Sequence, residues 1–312
     1  MARALPRLRH DRNLLLGRAR ALALVALAGF AALSAPAAQA VEAAHHVLWS
    51  VQGRHNTVYL LGSIHVLRPE DAALPEAAES AYRRSGRVVM EIDLGTEMAG
   101  GAMSLAEKMQ AMALLPEGTT LRSVLGADYA SVAARAQQAG LDLVMLDRFA
   151  PWFVATTLLQ VELAKRGFSP DLGVEQVLAS RAAADHKAMQ GLETAEQQFA
   201  ILGGLPLPMQ KRFLLMTLDE SADFDKEIAE LLGAWQAGDT AKLGALLGEE
   251  FARFPELYRP LTEQRNRAWI PQIERLLSED ADCLVVVGAL HLVGHDSVVD
   301  LLRQRGYRIT QL

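Results

Sequence analysis

Two apolar runs in this chain break at a glycine and end on a histidine three residues later. YLLGSIH runs through Gly62 to His65, and VVVGALH runs through Gly288 to His291. A third apolar run, RVVMEIDL, carries the carboxylate Glu91 in its middle. Two neutral imidazoles and a carboxylate make a three-ligand set for a divalent metal that leaves one position for water. Taken alone, each histidine is also readable as a hydrogen-bonded residue at a strand end. Glu91 has fewer ordinary readings, because a carboxylate inside an apolar strand costs several kcal/mol unless it is paired or ligating. Asp93 reads as its solvent-facing or turn-forming neighbour.

Placement is what joins the three. Apolar runs without alternation are expected of strands covered on both faces, and in open α/β sheets functional groups collect just beyond the carboxyl ends of the strands. Each histidine falls at that point of its run, and Gly62 and Gly288 leave room for a close approach by a ligand or another segment. If the runs are neighbouring strands, His65, His291 and Glu91 meet at one sheet edge. His295 stands four residues after His291, the spacing of a helical metal pair, but the glutamate of HExxH is missing and Gly294 weakens a helix there. It reads as polar surface at a helix start. His45, His46, His55 and His186 read as surface residues.

The surrounding elements supply the positioning. HVLWSV and TVYLLGSIH form two strands across the turn QGRHN, PEDAALPEAAESAYRRSG forms a helix closed by Gly86, and residues 87–94 form a third strand. That order predicts a right-handed crossover and a parallel pair. The middle of the chain, about residues 100–260, has helical periodicity, interrupted by a short strand at 187–192. The end returns to the opening pattern: a long helix from Thr262 that Pro271 bends, the strand DCLVVVGAL, a helix ending at Gly306, and a last strand YRITQL. The fold class expected is α/β, a mixed, largely parallel sheet built from both chain ends with a large helical insertion or cap.

Residues 1–40 are set aside from that fold. Six arginines and one acid precede the uncharged run ALALVALAGFAAL, and Ala38-Gln39-Ala40 closes the segment. This is the layout of a secretory signal peptide cleaved after Ala40. Its apolar run is shorter than the roughly 20 residues of a membrane span, and no other run of spanning length follows. A periplasmic or secreted protein with residues 41–312 as one domain is expected. Removing the segment takes the net charge from −6 to −11. That balance argues against nucleic acid, whose phosphates demand basic patches. The lone Cys283 lies in a buried strand and reads as an inert thiol.

YLLGSIH, VVMEID, the PW of APWFVATTLL, GVEQVL, GLETAEQQF, EQRNRAW and VVVGALHLVG stand in the order seen in the TraB/GumN family, and the chain resembles a bacterial, signal-bearing member over about residues 47–312. The resemblance implies similarity to TIKI-type metalloproteases, in which two GxxH motifs and a glutamate carry manganese- or cobalt-dependent peptide cleavage. It points to His65, His291 and Glu91 as ligands, Gly62 and Gly288 as their motif glycines, and Mn, Co or Zn as the cofactor. Glu91 is either a third ligand or the base for the attacking water. Two further positions follow from the matching pieces. Arg265 in QRN corresponds to a family arginine near the site, suited to an oxyanion or a substrate carboxylate, or alternatively to an ion pair between helices. Glu193 in GLET follows a short strand and faces the same edge, or else caps the helix that Thr194 and Gln197 begin as a capping box. Glu175 in GVEQ reads as a first-turn acid complementing the helix dipole. The expected function is a metal-dependent hydrolase acting on a peptide or small-molecule substrate. The alternatives are a non-catalytic peptide-, haem- or metal-binding protein, or an accessory of surface-polysaccharide production.

Overall fold

The structure, a computed structural model, describes residues 46–94, 105–218 and 224–312. The expected signal segment, residues 1–40, lies outside them. A six-stranded sheet organises the chain: β1 (Leu48–Gln52), β2 (Thr57–Ser63), β3 (Arg87–Ile92), β4 (Ala188–Glu193), β5 (Cys283–Gly288) and β6 (Ile309–Gln311). Their order across the sheet is β4-β3-β5-β2-β1-β6. β5 runs parallel to both β2 and β3, and β4 parallel to β3. Among the described strands, β1 alone pairs antiparallel with its neighbours, β2 and β6. The sheet is thus mixed and largely parallel, as expected.

One connection differs from expectation. The crossover from β2 through the helix Glu76–Arg84 to β3 does not produce an adjacent pair, because β5 from the far end of the chain lies between them. The centre of the sheet needs strands buried on both faces, and CLVVVG is buried at every position. β4, whose positions are mostly half-buried, and the three-residue β6 are left at the edges.

Helices cover this sheet and fill the middle of the chain. The helix Pro151–Lys165 is apolar nearly all round, with Trp152, Val154, Ala155 and Leu159 buried, as a helix in the body of a core must be. The long helix near the end starts as a π-helical turn at Arg259–Glu263 and continues as Gln264–Leu276 with Pro271 inside it. A π turn is rare, and is frequently found at functional sites; Arg265 stands two residues after this one. The final helix is shorter than expected. It spans Val298–Gln304, capped by the Ser297 side chain, rather than starting at Val293, because Gly294 and Asp296 have φ of +78° and +56° and no helix passes through them. His295 is exposed and paired with Asp296. No helix among the described residues is long and apolar enough to cross a membrane.

Candidate functional site

The two GxxH motifs do lie on neighbouring strands, offset by one residue: Ser63 is opposite Gly288, and Gly62 opposite Val287. β2 continues past its glycine to Ser63, whereas β5 stops at Gly288 and turns into a single 3-10 turn, Ala289–His291. Gly62 is a packing glycine. A Cβ there would stand 2.4 Å from the Val47 side chain and 3.1 Å from the Ala289 Cα. Gly288 contributes its backbone, since its N–H donates to Glu91 Oε1 at 2.8 Å.

Glu91 is the centre of a buried clamp. Besides Gly288, its carboxylate accepts from Gln198 Nε2 at 2.8 Å and from Arg265 Nη2 at 2.5 Å. Arg265 is 8% exposed, and all five of its N–H groups are engaged. Nε reaches both Glu193 oxygens at 3.1 Å, Nη2 bridges Glu193 and Glu91, and Nη1 points to the Leu261 carbonyl and His291 Nε2. The guanidinium also lies over the Trp269 ring. Arg265 therefore pairs with acids, but at the sheet edge and with two of them, and it has no N–H left for an oxyanion. Glu193 does not cap the helix: Thr194 and Gln197 form the capping box between themselves, and Glu193 holds Arg265.

His291 belongs to the same clamp. Its Nδ1 is 2.6 Å from Asn266 Oδ1, and Asn266 Nδ2 donates to the Asp296 carbonyl, which fixes the amide's orientation. Nδ1 must then carry the hydrogen, and the Nε2 lone pair accepts from Arg265 at 2.9 Å. Burial and the Arg265 charge push this imidazole down to about 3, so it is neutral. Burial works in the opposite sense on Glu91, pushing the carboxyl up, but Arg265, the two imidazoles and the Gly288 N–H outweigh it and hold it at about 2. Burial raises the Glu193 carboxyl despite Arg265.

His65 has different surroundings. Its Nδ1 is 2.7 Å from Glu175 Oε1, which also accepts from the Ser63 hydroxyl. The local fold imposes this contact. Leu67 bridges Ser169, the Val174 N–H donates to the Ile64 carbonyl, and Gly173 packs so closely that a Cβ would lie 2.1 Å from the His65 carbonyl oxygen. The helix Val174–Ala184 therefore starts on the strand end, and its first-turn acid lands on the imidazole. Burial alone would lower the His65 ring, but the Glu175 carboxylate overrides it and raises the pKa to about 9. His65 Nε2 and Glu175 Oε2 are buried and have no hydrogen-bond partner among the described residues. Both residues line a small cleft together with Glu91, Gln198, Leu94 and Pro170; Arg265 and His291 are not part of that lining.

The edge thus divides into a saturated clamp (Glu91, Arg265, Glu193, His291) and an open pair (His65, Glu175) facing a cleft. Among the described residues, no three His, Cys, Asp or Glu side chains stand where they could hold a metal ion. The nitrogen His291 would offer already faces a guanidinium, so this arrangement does not fit a resident divalent ion. Gln198 and Asn266 are the participants that the sequence reading left out, and Glu175, expected as a first-turn acid, is also the partner of His65. All three lie within the quoted pieces GVEQVL, GLETAEQQF and EQRNRAW, but only packing assigns them partners.

A mixed α/β sheet with paired GxxH strand ends over a buried Glu–Arg–His clamp defines the class, and the chain belongs to the TraB/PrgY/gumN family, whose sequence profile matches residues 47–311. It is similar to the uncharacterized protein YbaP of Escherichia coli (strain K12), 26% identical over 246 residues that cover 78% of this chain and 87% of that protein. It is also similar to an uncharacterized protein of Treponema pallidum (strain Nichols), 23% identical over 271 residues, 83% of this chain and 80% of that one. No solved structure matches the chain.

Proposed function

We propose that the chain hydrolyses an acyl bond in the cleft, with the His65–Glu175 pair moving the proton. The observation that supports this is the bare Nε2 of a buried imidazole at a cleft whose other nitrogen is held by a carboxylate. Glu175 accepts the Nδ1 hydrogen, so the deprotonated ring offers its Nε2 lone pair to a water. As the water oxygen forms its bond to the acyl carbon, Nε2 takes the proton and afterwards gives it to the leaving group. Glu91, held ionised at the cleft, steadies the imidazolium formed in between; its charge already favours protonation of His65. Arg265 serves by holding Glu91 and His291 in place. A peptide bond is the preferred target on the family resemblance.

With a pKa near 9, about one ring in a hundred is deprotonated at pH 7. The rate therefore rises with pH to about 9 and then levels. The test is the purified mature chain on peptidyl anilides and esters, across pH, with chelator and with added Mn, Co or Zn. His65→Ala is expected to lose about 10²–10⁴ in rate. Loss of activity in chelator with recovery on adding one ion would replace this mechanism with the metal-dependent one, which requires Arg265 to release His291 and Glu91. Binding without turnover of any acyl compound would favour the non-catalytic reading.

A further inference from the structure

The polar groups facing the cleft are unbalanced. Two carboxylates, Glu91 and Glu175, face it, against the single imidazole of His65. Arg265, the other nearby cation, stands outside the lining and is spent on Glu91 and Glu193. Two acceptor atoms are also available there, beside the Gln176 amide and the His65 ring. Glu175, 8% exposed, has an oxygen with no partner among the described residues. Gln198 uses its Nε2 on Glu91, which fixes the amide and leaves its carbonyl oxygen as an acceptor on the cleft wall. Ile92, Leu94 and Pro170 supply an apolar wall beside them. Even with His65 protonated the lining carboxylates outnumber its one cation, so a ligand carboxylate or phosphate would meet a net like charge here. An ammonium meets opposite charge and brings three N–H donors to the acceptors.

We infer that the cleft takes an acyl compound bearing a protonated amine next to an apolar side group, with Glu175 and Gln198 receiving the amine's N–H bonds. This deepens the hydrolase reading and rests on the same cleft, but it concerns recognition and is separable from turnover. The class it selects is free amino-acyl and amino-terminal peptidyl compounds over their N-acylated or acidic counterparts.

Calorimetric titration of the whole mature chain at pH 7 with three small probes tests it: leucinamide, N-acetyl-leucinamide and N-acetyl-leucine. Leucinamide is expected to bind at least tenfold more tightly than its acetylated form, and N-acetyl-leucine not to bind. Glu175→Gln should remove most of the preference, and Gln198→Leu, on the cleft wall, should weaken leucinamide alone by about threefold to tenfold, the loss of one hydrogen bond. The wild-type comparison stands even if a variant does not fold. Equal binding of the charged and acetylated amides, tighter binding of the acid, or no binding of any probe overturns the inference. Preferential binding of leucinamide without hydrolysis of any acyl compound upholds it while the hydrolase reading fails. Hydrolysis that ignores the amine does the reverse.

Discussion

Arg265→Leu is the sharpest perturbation of this architecture. The substitution removes the cation from between two buried carboxylates and takes away the N–H that faces His291 Nε2. Removing one partner of a buried pair typically costs about 3–5 kcal/mol, because the other charge is left uncompensated. The Glu91 titration gives an independent size. Its carboxyl is held at about 2 against 4.5 without the fold, which corresponds to about 3 kcal/mol at neutral pH. Because the folded value lies below the unfolded one, that stability is present in full above about pH 4.5 and is lost as pH falls toward 2. Arg265 is the largest of the groups that lower it. In the variant, Glu91 and Glu193 protonate at higher pH, so its deficit against wild type should be greatest near pH 7 and shrink on acidification. Urea denaturation at pH 7 and pH 4, followed by circular dichroism, measures both quantities. A shift in midpoint worth less than about 1 kcal/mol at pH 7 would refute the clamp, since a loss that small is typical of an exposed ion pair. A deficit that grows toward low pH would refute the charge accounting.

Three other outcomes follow from the geometry. Glu175→Gln removes the charge that outweighs burial at His65, so the ring's titration, followed by NMR of its carbon-bound protons, should fall from near 9 to below about 6; a value still near 9 would show that Glu175 is not the cause. Gly173→Ala drives a methyl to 2.1 Å from the His65 carbonyl oxygen, and about 2–4 kcal/mol of stability should go with it, in the range of severe backbone clashes; a thermal midpoint equal to wild type would mean that the helix start is not locked on the strand end. Cys283 is buried, with burial pushing its thiol up to about 12, so a thiol reagent at pH 8 should leave the native protein unlabelled and label it fully in denaturant.

Much of the fold is legible along the chain because its signals are local. The runs at 59–62, 88–90 and 284–287 lack alternation, and each becomes a strand buried on both faces. Thr194 and Gln197 announce their capping box three residues apart. Where the reading was off, a distant element had intervened. The expected β2–β3 neighbours are parted by β5, which arrives nearly two hundred residues later, and a left-handed Gly294 and Asp296 replace the helix through His295.

At the site, residue type and position relative to strand ends were enough to single out His65, Glu91 and His291, because a polar group in a both-faces-buried strand has few places to go. Their division of labour was decided by the tertiary structure. Two histidines with the same Gly-x-x-His approach carry opposite shifts, His65 up to about 9 and His291 down to about 3. Glu175, 110 positions after His65, meets the first, and Arg265 meets the second. An imidazole's proton affinity is set by the charges within a few ångströms of it, and those charges come from segments that only folding brings near.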